Sequence, residues 1–221
     1  MCGRKTLTRG KLEIIEELSV DEWTDDFTPG FNIVPTQINP VLRTVNHKRV
    51  IKPMKWGLIP TWSKDISFAS KMINARCETL SVKPAFRRLL GNQRCVSITD
   101  GYFEWQKTTS GTLPHYIRRK DGKLLLLAAL WDAWKTPESS VILSYTVITC
   151  AASPVFKFIH ERMPVIIPPG RLSDWLDGTH TGHSDAMSLL TSNDEGLITY
   201  PVSAFVNNVR NNSPKCIEPL T

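Results

Sequence analysis

The sequence predicts an α+β fold, rich in strands, in one domain covering residues 1–221. Three observations lead there. Short apolar or alternating runs bounded by turn residues recur along most of the chain, helical periodicity is confined to a few stretches, and strands and helices do not alternate as a βαβ repeat requires.

Taken in order, residues 11–18 form an amphipathic helix with Leu12, Ile15 and Leu18 on one face. Pro29-Gly30 then breaks the chain, Ile33-Val34-Pro35 is an extended lead-in, and residues 39–44 and 50–58 are strands. A loop containing proline and serine lies around residues 60–64, and a helix is expected over 77–90, ending near Gly91. Strands follow at 95–98, 103–106, 115–118, 124–131 and 141–150, with a turn at Asp121-Gly122. Proline introduces helices at 153–159 and 169–176, and a last pair of strands surrounds 199–202. Repeats and low-complexity linkers are absent from the sequence.

Composition narrows the class. Of 221 residues, 41% are hydrophobic and 22% charged, the balance of an ordinary globular protein, and the longest apolar run, 124–130, falls far short of a membrane span. The N-terminus lacks a charged region followed by an apolar segment, which argues against secretion. Five cysteines, at 2, 77, 95, 150 and 216, are odd in number and without CxxC spacing, arguing against a disulfide framework and a structural zinc site. A reducing cytoplasm is the expected location. A net charge of +6, from 27 basic against 21 acidic residues, favours a polyanionic partner, and the excess is spread over small knots such as His47-Lys48-Arg49, Arg87-Arg88 and Arg118-Arg119-Lys120. Each knot also reads as a solvated turn or strand end, so nucleic acid would have to lie in a folded groove.

Cys2 directly follows Met1. Loss of Met1, which a side chain as small as cysteine permits, leaves an α-amine and a thiol on adjacent carbons. With free values of about 7.7–8.0 and 8.5, both keep a reactive fraction at neutral pH. The pair can attack an acyl group through sulfur, or capture an aldehyde as an imine that the thiol closes into a five-membered thiazolidine.

Four further segments set polar groups among apolar and aromatic ones: Cys2-Gly3-Arg4; Trp56-Gly57-Leu58-Ile59-Pro60-Thr61-Trp62 with Ile73-Asn74-Ala75-Arg76-Cys77-Glu78-Thr79; Asp100-Gly101-Tyr102-Phe103-Glu104-Trp105; and His160-Glu161-Arg162-Met163-Pro164. Each has a plain reading beside the functional one. Glu104 is either an outward residue on an alternating strand or a partly buried carboxyl with the raised pKa that suits proton transfer. His160 is a capping or surface residue or the useful histidine of the five, since His47, His115, His180 and His183 lie in polar or turn-like segments. Arg4 and Arg76 pair with Glu78 or another acid, or bind phosphate; Trp62 is a core residue or a stacking platform.

The ordered set MCGR, WGL-P-W, NARCET, DGYFEW and HERMP, with the late Val206-Asn207-Asn208-Val209-Arg210, closely resembles the SRAP family of SOS response-associated, abasic-site processing proteins, over residues 2 to about 214. The resemblance implies a barrel-like core of mainly antiparallel sheets with peripheral helices. It implies covalent capture of abasic sites in single-stranded DNA by a thiazolidine on Cys2, protecting the lesion, by a monomer that needs no metal or organic cofactor. By resemblance His160 opens the sugar hemiacetal, Glu104 moves protons at the amine and imine, and Asn74 holds the opened sugar near the amine. Arg4 and Arg76 take flanking phosphates, while Trp62 and Pro35 pack on bases. The imine can also lose the 3′ phosphate by β-elimination, implying a minor lyase activity or slow reversal, and the peptidase label fits self-removal of a leader, here a single Met1.

Two positions depart from the pattern. Lys5 replaces the aromatic residue that commonly follows CGR, and Ser63 stands where a second aromatic usually follows the first Trp; both bear on DNA affinity before cross-linking. The rival readings are a class II glutamine amidotransferase, which also begins Met-Cys-Gly but typically carries Ile where this chain has Arg4, and a non-covalent DNA-binding module indifferent to Cys2.

Overall fold

The computed structural model describes residues 2–177 and 183–220. In chain order the elements are β1 (Lys5–Leu7), α1 (Lys11–Leu18), β2 (Gly30–Ile33), β3 (Ile38–Val45), β4 (Lys48–Trp56), α2 (Phe68–Lys71), β5 (Asn74–Arg76), α3 (Pro84–Arg87), α4 (Leu89–Asn92), β6 (Arg94–Thr99), β7 (Gly101–Thr108), β8 (Gly111–Arg119), β9 (Leu125–Lys135), β10 (Val141–Ala151), β11 (Arg162–Pro164), α5 (Leu172–Leu176), α6 (His183–Ser188) and β12 (Leu197–Pro201). Strands dominate and the helices are short, as the α+β reading requires.

Five strands close on themselves. β10, β4, β3, β6 and β9 follow one another through hydrogen-bonded ladders, and β9 pairs back onto β10 from Val141↔Lys135 to Val147↔Ala129, so the ring has no free edge. Its apolar content explains the closure. Leu125, Leu126, Leu127, Ala128, Ala129 and Leu130 run consecutively along β9 and all are buried, the pattern of a strand covered on both faces. A second sheet, ordered β12-β8-β7-β1-β2, lies beside the barrel, with β1 contacting β6. The pairings are antiparallel except β10 with β4 and β10 with β5.

Two motif glycines are forced by close approach. A Cβ on Gly57, where φ is +125°, would collide with the Ala69 carbonyl, and one on Gly101 would stand 2.5 Å from the Tyr116 hydroxyl oxygen.

Several expectations are corrected. In α1 the buried residues are Ile14 and Leu18, while Leu12 is 80% exposed. At about 100° per residue Leu12 lies about 160° from Ile14, so the core-facing stripe excludes it. The helix expected over 77–90 is broken into a 3-10 turn at Cys77–Thr79 and the short α3 and α4. Pro84 opens α3 and Lys83 before it is extended, because proline lacks the N–H and crowds its predecessor out of the helical region. Residues 153–159 form turns in which the Phe156 and Lys157 amides both donate to Ser153, with no helix propagating beyond them. The last strand, β12, pairs with the much earlier β8, and only a single bridge, Val202 to Pro219, follows it. The sequence reading missed β1, β5 and β11, each of three residues. Among the described residues no helix is long and apolar enough to cross a membrane.

Candidate functional site

The N-terminal segment reaches the site through β1. β1 lies between β2 and β7, with Lys5 opposite Tyr102 and Thr6 opposite Gly101, and the Phe103 amide donates to the Arg4 carbonyl at 3.0 Å. The backbone just before β1 therefore runs alongside the part of β7 that carries Glu104. Cys2 is fully buried there. Asn74 Nδ2 donates to the Cys2 carbonyl at 2.8 Å, tying β5 to the chain start across 72 residues of sequence. The Asn74 Oδ1 is buried and accepts no hydrogen bond from the described residues, which leaves it available to a ligand hydroxyl.

Glu104 is 4% exposed. Burial pushes its carboxyl up to about 7, against the opposing charge of the chain's amino terminus and the Trp105 amide. Of the two readings left by the sequence, the buried one describes this residue. Glu104 and His160 line one small depression together with Tyr102, Phe156, Arg162 and Met163. The Arg162 amide donates to His160 Nδ1 at 2.9 Å, and the Arg162 carbonyl lies 3.2 Å from the same nitrogen, so Arg162 orients the ring. Burial lowers the His160 pKa, and the amino-terminal charge lowers it further. Burial pushes the Cys2 thiol up to about 12, and Glu104 adds to the rise while the amino terminus opposes it.

Arg162 holds this corner together. Its guanidinium grips both Glu78 oxygens, at 2.9 and 3.0 Å, and also the Thr149 carbonyl on β10. The fork geometry holds Glu78 down at about 2. Glu78 is therefore the partner of Arg162, not of Arg4 or Arg76. Arg4 instead donates to Asn32 Oδ1 and the Val206 carbonyl, both at 2.8 Å, and lies over the Trp105 ring. Asn32 also donates to Val206, Asn208 and Asn211 carbonyls, and Trp105 Nε1 donates to Asn207, so the late 206–211 stretch is folded against the N-terminal segment.

Arg76 is exposed on β5 and lines a groove of about 210 Å³ with Asn74, Lys71, Lys83 and Phe86. Three cations beside an amide that contacts Cys2 make this groove suited to a phosphate chain. A cleft of about 610 Å³ between Trp23, Phe27, Ile38 and Pro53 contains none of the candidate residues, and Asp25 and Asp26 on its wall disfavour phosphate. Trp62 is 57% exposed and meets Phe68 edge-on at 5.6 Å, so it is a surface ring, not a core one. Pro35 is half-buried in the turn between β2 and β3. Neither shares a contact described above with the Cys2 cluster.

His115 departs from its expected polar, turn-like setting: it is buried in β8 opposite Glu104 and bonded to Gln106. His180 and the His183 side chain lie outside the described residues. Among the described residues no cluster of His, Cys, Asp or Glu is arranged to hold a metal ion. Sequence reasoning missed Asn32 and Arg162 as organisers and missed the burial of Lys5; the HERMP segment contained Arg162, but nothing local announced its reach to β10.

Comparison with known proteins bears on the family and the fold. The family model described as SOS response associated peptidase (SRAP) matches residues 1–209. The chain is 38% identical to the abasic site processing protein YoqW of Bacillus subtilis, over 99% of both chains. It is 31% identical to the abasic site processing protein HMCES of Gallus gallus, over 100% of this chain and 78% of that one. A crystal structure of a protein from Bacteroides thetaiotaomicron shares the fold, with a TM-score of 0.88 and 21% identity over the full length of both chains. One from Bordetella bronchiseptica does so with a TM-score of 0.80 and 25% identity, over 91% of this chain and 100% of that one.

Proposed function

The chain belongs to the SOS response associated peptidase family, and from that premise we propose that it processes abasic sites in DNA by covalent capture on Cys2. Relatives named for abasic site processing support the substrate; the burial of Cys2 against Asn74 and β7 supports the chemistry. The observation that carries the reading is the Asn74 bond to the Cys2 backbone, since it brings an amide with a vacant acceptor to the residue whose amine and thiol would react.

The reaction follows from these groups. Removal of Met1 frees the Cys2 amine. His160, its ring oriented by the Arg162 amide, moves the proton that opens the sugar to its aldehyde. The amine attacks that carbon and water leaves as the imine forms. Glu104, with a carboxyl raised to about 7, can both give and take a proton near neutrality, as carbinolamine dehydration demands. Sulfur then adds to the same carbon and the C=N electron pair returns to nitrogen, closing the thiazolidine. Asn74 Oδ1 accepts a sugar hydroxyl, holding the reacting carbon near the amine so that both additions are effectively intramolecular. The groove of Lys71, Arg76 and Lys83 carries the single strand beside the lesion, and Trp62 and Pro35 meet its bases. A minor lyase activity comes from β-elimination at the imine, and the peptidase label describes removal of Met1.

Denaturing gel electrophoresis tests this directly. Protein shown by mass to begin at Cys2 is mixed with single-stranded DNA carrying one abasic site, beside intact DNA and the Cys2→Ala variant. A heat-resistant band of retarded mobility is expected only with abasic DNA and Cys2. Its absence from processed protein overturns the reading, and glutaminase activity would then be assayed.

A further inference from the structure

Phe158 is 54% exposed, two residues before His160. A single apolar side chain in water is ordinary, but the place of this one is not. The Phe156 and Lys157 amides donate to the Ser153 carbonyl, and the Ile159 and His160 amides return to the Phe156 carbonyl at 3.0 and 3.4 Å, so backbone bonds alone close the turn. Phe156 and Ile159 are buried and line the depression that His160 shares with Glu104. The intervening Phe158 is turned outward at its lip.

The exposed ring is held in place. It meets the His115 ring edge-on, with centroids 5.7 Å apart and planes at 84°. His115 is buried and fixed at Nε2 by Gln106, 3.1 Å away. In the β7–β8 ladder it stands directly opposite Glu104, and opposed residues of an antiparallel pair share one face of the sheet. Phe158 thus rests on the cross-strand neighbour of Glu104, within reach of the nucleotide that adjoins an abasic sugar held there.

Topology and charge say what would cover it. Thr149 of β10 pairs with Arg76 along one edge and with Pro164 along the other, so β5 and β11 flank β10. The groove of Lys71, Arg76 and Lys83 opens beside the first edge, and the turn carrying Phe158 leads into β11 at the second. Lys157 is exposed on that turn and Glu161 follows it. Lys107, next to Gln106 and also exposed, is near enough to add to the lowering of the His160 pKa by burial.

We propose that Phe158 is a base-stacking platform on the flank of the abasic site opposite to the Arg76 groove, with Lys157 beside it for the backbone phosphate. Every nucleobase offers a π-face to such a ring, and the strand that carries it supplies the anion. The inference rests on the abasic-site reading above and adds the second arm of the strand to it.

Fluorescence anisotropy with single-stranded oligonucleotides carrying a tetrahydrofuran lesion, which has no aldehyde to capture, tests this apart from cross-linking. One oligonucleotide extends only to the 5′ side of the lesion and a second only to the 3′ side. Phe158→Ala should weaken binding to one of them by about fivefold or more and leave the other within about twofold, and Arg76→Ala should weaken the other one. Phe158→Trp should bind the affected arm at least as tightly as wild type, whereas Phe158→Leu, apolar but without a π-face, should bind like Phe158→Ala. Val155→Ala, which trims a side chain 65% exposed on the same turn, should bind both arms as wild type does. Loss on the same arm as Arg76→Ala, loss shared equally by both arms, a matching loss in Val155→Ala, or full affinity in Phe158→Leu overturns the inference. So does unchanged binding of both arms by Phe158→Ala, which would leave the ring to a protein partner. Wild type is assayed in parallel for a heat-resistant adduct with aldehyde-bearing abasic DNA. An adduct beside unchanged Phe158→Ala binding removes the platform alone; no adduct beside an arm-specific loss removes the cross-linking reading and keeps the platform.

Discussion

The barrel wall and the seam between β1 and β7 are equally dry, yet they are filled with opposite chemistry. Over residues 125–130 of β9 the buried residues are leucines and alanines; at the seam Cys2, Lys5, Thr6 and Glu104 are buried beside Leu7, Tyr102 and Phe103. Apolar burial stabilises by roughly 25 cal/mol per Å², whereas an ionisable group taken from water costs stability unless it is paired or neutralised. The barrel therefore supplies the stability that the seam gives up. Burial alone therefore does not identify a core: at the seam the dry positions hold titratable groups, Cys2, Lys5 and Glu104.

The largest effect should come from the barrel. Leu127→Ala in β9 should cost about 3–5 kcal/mol by denaturant unfolding, the transfer and cavity terms of a fully buried leucine. A cost below about 1 kcal/mol would break the comparison, because the wall would then be no better packed than a surface.

At the seam the sign should reverse. Burial holds the Lys5 ammonium down at about 7. Above that pH the unfolded chain binds a proton that the folded one has released, so the penalty is complete below 7 and is relieved as pH rises toward the unfolded value. Lys5→Met should accordingly be more stable than wild type by about 2–4 kcal/mol at pH 6–7, the gap closing by pH 10. Glu104 runs the other way. With its carboxyl raised to about 7, the folded protein holds the proton more tightly, so the contribution of Glu104 is complete below the unfolded pKa and lost as pH rises through 7. Glu104→Gln should match wild type at pH 4.5 and exceed it by about 2 kcal/mol at pH 8, while cross-linking falls about 100-fold. Thermal melts at each of these pH values check both; a destabilised Glu104→Gln at pH 8 would show the seam to be structural.

How far the sequence could be read follows the same division. The long strands were legible because their apolar runs are local facts: residues 124–131 contain most of β9 and 141–150 most of β10. The closure of β9 onto β10 and the three-residue strands β1, β5 and β11 were not, because they exist only through partners 70 or more residues away in the case of β5 or by wedging between β2 and β7 in the case of β1. The candidate site divides likewise. Cys2, Asn74, Glu104 and His160 stood out through their motifs, but the fork of Arg162 on Glu78 and the wrapping of 206–211 onto Arg4 and Asn32 are long-range pairings with no local signature. Lys5 was visible as a departure, and its position in a strand with Leu7 did not disclose that both would be buried.

The smallest effect concerns the exposed counterpart of the seam. Trp62 is over half exposed, whereas the adjacent Ser63 is buried, its hydroxyl donating to the Asp65 carbonyl and its own carbonyl accepting from Trp134 Nε1. The chain thus offers one ring at this place because position 63 is turned inward to close a turn. Trp62→Ala should weaken binding to intact single-stranded DNA by about 1 kcal/mol, read by fluorescence anisotropy, and leave stability within about 0.5 kcal/mol. Ser63→Trp distinguishes a missing platform from a structural serine: an indole at a buried position must displace the turn, so the melting temperature should fall with no gain in DNA affinity. A gain in affinity at unchanged stability would instead show that the surface around Trp62 had room for a second ring, and that the inward turn of Ser63 is a consequence of its small side chain and not a requirement of the fold.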